Sequence, residues 1–154
     1  MPTHRSTQWS FQNTLAAAAL GTTLIAMIVL FAVGDVWTAA PWLAIVILIV
    51  LVAALLIPMT IEAGAEGVKV RLAGITVRRI PFEDIVSVGR RDYKPLKEFG
   101  GWGLRWGLTH RNARAYTTTG TSAVVVTLRD GSEVYLGVDD EDRLTEAIAL
   151  RIDA

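Results

Sequence analysis

The chain has 154 residues, 52% hydrophobic and 19% charged, with fifteen Lys and Arg balanced by fifteen Asp and Glu and a mean hydropathy of +0.42. It is too apolar for an average soluble domain and too charged for a protein made only of membrane spans, so two kinds of region are averaged together. The absence of cysteine excludes disulfide scaffolds and is compatible with a reducing cytosol.

The first twelve residues read as a cytoplasmic tail. From there to residue 58 the chain is nearly uncharged: Asp35 is the one ionised residue between Gln8 and Ile61. Two runs of about 20 apolar residues, 14–33 and 38–57, each suffice to cross a bilayer. The short connection Gly34-Asp35-Val36-Trp37 leaves room only for antiparallel neighbours, so 13–58 reads as a two-helix transmembrane hairpin. Pro41 falls in the first turn of the second helix, where its missing amide costs little, and Pro58 closes that helix. A cleaved signal peptide would have a core of about 7–15 residues and no second span behind it. A buried helix pair in a soluble protein would need a second layer that so short a chain lacks.

Flanking charge orients the hairpin. Arg5 precedes it, Lys69, Arg71, Arg78 and Arg79 follow it, and its turn carries no Lys or Arg. Both termini are therefore expected in the cytoplasm and the protein in the cell (inner) membrane as a multi-pass protein. Trp9 and Phe11 would mark the inner interface, Trp37 and Trp42 the outer one.

From residue 59 to 154 the pattern alternates. Val68 to Leu72 reads as a strand, two further β-rich runs flank Pro81, and residues 122–138 read as a hairpin turning at Asp130-Gly131. Val124, Val126 and Leu128 face the same way, as do Val134, Leu136 and Val138, giving each strand one apolar face. The chain ends in a helix over 140–152, capped by Asp139 or Asp140, with Leu144, Ala147, Ile148 and Ile152 as its apolar stripe. Short strands closed by one amphipathic helix suit a bent antiparallel sandwich or partly open barrel. Residues 92–116 read as one long connection.

Two spans followed by "RRIPFEDIVSV", "PLKEFGGWGLRWG", "RAYTTTG", "TLRDGSEVYLGV" and a closing helix resemble small uncharacterised bacterial two-span membrane proteins that carry a bacterial PH-like domain. The resemblance covers nearly the whole chain. It implies a mainly-β PH-like fold for 59–154 and a place at the membrane, and it brings no activity with it.

Nothing in the sequence reads as a catalytic centre or a cofactor site. His4 and His110 lie apart, no Ser or Thr sits in a nucleophile elbow, and no metal-ligand spacing occurs. The acids at 139–142 could be read as a metal site, but helix capping already explains them. Charge is more informative: 69–114 carries eleven basic residues against four acids, and 129–154 three against eight. Trp102 and Trp106, among Lys97, Arg105 and Arg111, with Arg90, Arg91 and Lys94 close by, therefore form a candidate contact for the bilayer, its anionic headgroups or a protein partner. The tryptophans could equally plug the open end of the sheet domain. The neutral total charge and the tether argue against nucleic acid. The expected function is a non-enzymatic binding or adaptor module at the inner face of the membrane; the alternative is a structural subunit of a larger membrane complex or a homo-oligomer.

Overall fold

The structure, a computed structural model, describes residues 4–109 and 112–152. The chain divides into a helical unit, 9–57, and a sheet unit built from the residues on either side of it.

In the helical unit the Asn13 side chain accepts the Ala16 amide at 3.0 Å and starts α1, Thr14–Val33. These 20 residues extend about 30 Å. Among the described residues α1 is the helix long and apolar enough to cross a membrane, and Phe31 is its one buried residue. The connection after Gly34 is helical rather than a loop: Asp35 takes a left-handed backbone and leads into α2, Val36–Ala39. Pro41 lacks an amide and disfavours the helical region for the residue before it, so Ala40 adopts φ −148°, ψ 64° and separates α2 from α3, Pro41–Leu55. The run expected as a single helix over 38–57 is thus split. The 15 residues of α3 extend about 22 Å, less than the roughly 30 Å of a hydrocarbon core. α3 packs against α1, and at the base of the unit Ser10 Oγ donates to the Ile57 carbonyl at 3.3 Å.

The sheet unit holds two sheets among the described residues. The first has the order β1 (His4–Trp9), β2 (Pro58–Ala63), β3 (Gly67–Leu72), β4 (Ile75–Pro81). The segment read as a tail is therefore an edge strand. Thr7 and Thr60 hydroxyls meet at 3.0 Å and Arg5 pairs with Glu62 at 3.3 Å, so β1 runs antiparallel to β2 with residue numbers summing to 67. Its buried side chains are polar because they meet the start of the closing helix: Gln8 Nε2 donates to Asp139 Oδ1 at 2.8 Å, and Ser6 Oγ accepts the Asp139 amide at 3.3 Å.

The second sheet comprises β5 (Ile85–Asp92), β6 (Gly103–Trp106), β7 (Ala113–Thr117), β8 (Ser122–Leu128) and β9 (Glu133–Leu136), in the order β5-β8-β9-β7-β6. β8 and β9 form the expected hairpin, with Gly131 at φ 77° and Asp130 Oδ1 accepting the Ser132 amide at 2.9 Å. Two expectations are corrected here. The sheet is not wholly antiparallel, since β7 lies parallel to β9. The stretch 92–116 is not one connection but a π-helical turn, Pro95–Phe99, followed by β6 and β7.

The faces of the two sheets enclose Ile61, Val68, Val70, Ile80, Val124, Val126, Val134 and Leu136, closed by Leu144 and Ile148 of α4, Glu141–Ile152. Asp140 caps α4 by accepting the Arg143 amide at 3.0 Å. The opposite face of the second sheet is covered as well: Tyr93 and Phe99 fold onto Tyr135, with Phe99 and Tyr135 ring centres 4.9 Å apart. A mainly-β unit with a C-terminal helix is the result.

Candidate contact surface

β6 is the edge of the second sheet, and its residues Leu104, Arg105 and Trp106 are exposed. Pairing of Trp106 with Arg114 in β7 brings the Arg114 guanidinium over the indole, 5.8 Å from the ring centre. Trp106 remains 68% exposed, whereas Trp102 donates from Nε1 to the Gly120 carbonyl at 2.8 Å and is half-buried. The two tryptophans have parted roles: Trp102 pins the glycine-rich segment to the 117–122 turn, and Trp106 is presented outward.

Two adjoining clefts share Trp106 and Arg114. One, of about 210 Å³, adds Val77, Leu104, Arg105 and Tyr116; the other, of about 390 Å³, adds Arg78, Asp130, Ser132 and Glu133. Arg78 Nε is buried with no hydrogen-bond partner among the described residues. Of the acids here, Glu133 is taken by Arg91 at 2.9 Å, and Asp130 stays ionised, its pKa lowered by hydrogen bonds from Ser132 and by the nearby Arg78; the smaller cleft, with Arg105 and Arg114, is lined by no acid among the described residues. The clefts thus set guanidinium groups beside an exposed indole and aliphatic side chains, an arrangement suited to an anionic group on an apolar or flat body. In the sequence Arg78 and Arg114 count among the basic residues of 69–114, but nothing there sets them or Val77 beside Trp106, because they lie in β4 and β7.

The remaining candidates lie elsewhere. Arg90 pairs with Glu141 at 2.7 Å and ties β5 to α4. Arg91 binds Glu133 and the Tyr135 hydroxyl, the latter at 2.9 Å, and these bonds hold its guanidinium pKa up. Lys97, on the π-helical turn, and Lys94, just ahead of it, are exposed beside exposed Leu96. Arg105, in the smaller cleft, donates from Nε to the Trp102 carbonyl at 3.1 Å. Arg111, with His110, lies outside the described residues. In the helical unit Trp37 meets the Phe31 ring edge-on at 6.1 Å, and Trp42 is 68% exposed in the first turn of α3. The acids at 139–142 divide among separate partners: Asp139 holds β1, Asp140 caps α4, and Glu141 and Asp142 reach Arg90 at 2.7 and 4.0 Å.

No protein-family model, curated protein or solved structure matches the chain.

Proposed function

We propose that this is a multi-pass membrane protein whose sheet unit is a PH-like, non-enzymatic binding module held at the cytoplasmic face of the inner membrane. The observation that carries this reading is the pairing of β1 with β2. A segment whose ends leave one sheet side by side begins and ends on the same side of a bilayer, so it crosses an even number of times. α1 is long enough for one crossing; the 15 residues of α3 supply about 22 Å of the other, with the four residues of α2 ahead of the break at Ala40. Arg5, Lys69, Arg71, Arg78 and Arg79 flank the segment and its turn has no Lys or Arg, which favours the cytoplasm for the sheet unit. Two packed sheets with a C-terminal helix support the PH-like reading.

Arg78, Arg105 and Arg114 around Trp106 support an anionic ligand, and tethering favours the headgroup of an acidic lipid, because weak affinity suffices at high effective concentration. The chain has no native cysteine, so single-cysteine variants are clean probes. An impermeant thiol reagent on intact cells should label Asp35→Cys and not Glu66→Cys; the reverse pattern overturns the orientation. A fluorophore on Leu104→Cys in the full chain should respond when acidic lipid replaces zwitterionic lipid, and no response removes lipid as the ligand.

A further inference from the structure

The β1–β2 register of 67 sets Gln8 opposite Met59, next to the residues where the chain leaves the sheet and returns to it. β3 extends the same edge: Met59 pairs with Leu72, Leu72 with Ile75, and the Ala73 amide donates to the Pro58 carbonyl at 2.9 Å. The β3–β4 turn therefore lies beside the point of return. Ala73 at φ 49° and Gly74 at φ 81° are both left-handed, as a two-residue type I′ turn requires. Such turns favour Asn or Asp in the first position, and a β-carbon there is sterically costly. This turn takes Ala instead, so no side chain at the tip carries a polar group. Ile75 follows, 71% exposed, while Leu72 is half-buried against the core. Just behind the tip stands Arg71, 3.8 Å from Glu62, and Arg5, three residues back along β1 from Gln8, reaches the same carboxylate at 3.3 Å. An apolar point backed by arginines is the pattern of a membrane-interface contact.

We propose that the β3–β4 turn, 72–75, is a wedge that enters the headgroup and acyl boundary of the leaflet holding the 10–57 segment, with Arg71 and Arg5 at the level of the lipid phosphates. This rests on the reading that 10–57 lies in a bilayer. The wedge adds a contact to the two chain crossings and so restrains the tilt of the sheet unit. Its ligand is the lipid interface itself rather than a single headgroup in a pocket.

The test uses the full chain in phosphatidylglycerol-containing vesicles, with an environment-sensitive fluorophore on one cysteine at a time and lipids carrying a quencher on the acyl chain. Ile25→Cys reports on α1, Ile75→Cys on the wedge, and Glu66→Cys on the β2–β3 turn, about 17 Å away at the other end of β3. Blue-shifted, quenched emission is expected at 25 and 75, with aqueous emission at 66. Aqueous emission at 75 with lipid-buried emission at 25 overturns the wedge and leaves the membrane reading standing. Aqueous emission at 25 overturns the membrane reading and the wedge with it. Equal quenching at 66 and 75 means the unit lies flat, and also overturns the wedge. A companion Ala73→Asp variant keeps the left-handed turn, which Asp tolerates, and should cut quenching at 75 several-fold. Unchanged quenching would mean that the label rather than the turn seeks lipid.

Discussion

Two of the antiparallel strand pairs in the sheet unit are closed in opposite ways. β8 and β9 are joined by four residues, 129–132, whose chemistry is local: Gly131 takes the left-handed backbone and Asp130 holds the Ser132 amide. β1 and β2 are joined by 48 residues, 10–57, that include all three helices of the helical unit. For a flexible chain the longer closure would cost about 2 kcal/mol more, because the entropy of closure grows only with the logarithm of length. Contact between α1 and α3 reduces that cost by bringing the ends together. A short turn sets register by its own geometry. The long one leaves register to the side chains of the strands, Thr7 on Thr60, Arg5 against Glu62 and Gln8 on Asp139.

That contrast can be broken most severely by removing β1. Residues 58–154 alone should be less stable by about 3 kcal/mol or more than a chain in which 10–57 is replaced by Asn-Gly, because β2 loses its partner strand and α4 its bonds to Gln8 and Ser6. Denaturant unfolding of the two proteins decides it; equal midpoints would take β1 out of the fold. A milder break is Asp139→Ala, which removes the carboxylate that Gln8 Nε2 and Ser6 Oγ donate to and leaves the Asp139 amide on Ser6 Oγ. It should cost about 1 to 2 kcal/mol, and amide exchange should quicken in 4–8 before it changes in 122–136.

On the other hairpin, Gly131→Ala places a β-carbon at φ 77° and should cost about 1 kcal/mol with the register kept, since a glycine-free turn is strained but core pairing of Val124 with Leu136 persists. Thermal melting measures the cost, and unchanged cross-strand contacts by NMR check the register. The smallest effect sharpens the role of His4 in β1. Burial holds the imidazole below its ordinary value of 6.5, with Asp140 pulling it up and Arg143 pushing it down. The unfolded chain then binds the proton more readily than the folded one. This contribution is complete above about pH 6.5 and is lost as pH falls below it. Unfolding midpoints should drop slightly between about pH 7.5 and 5.5, and His4→Gln should flatten that drop.

Much of the second sheet was legible because its determinants are local. Alternating Val124, Val126 and Leu128, the Asp130-Gly131 turn and the Asp140 cap each act within a few residues. The candidate surface was legible in part: exposed Trp106 beside Arg105 lies on one edge strand, but the Arg78 and Arg114 that complete its clefts come from β4 and β7. Arg90 and Arg91, read in the sequence as candidate contact residues, tie β5 to Glu141 and Glu133, partners more than forty residues away.

Residue chemistry along the chain determined that one region is apolar enough for a membrane and another is a mainly-β unit ending in a helix, because hydropathy and period-two alternation are properties of neighbouring residues. Tertiary structure alone decided that His4–Trp9 is a strand, that β7 runs parallel to β9, and that Tyr93 and Phe99 cover the far side of the second sheet. The buried face of β1 carries His, Ser and Gln, which no hydrophobic pattern marks. Those residues are useful only where α4 begins, and that meeting exists once distant segments have packed.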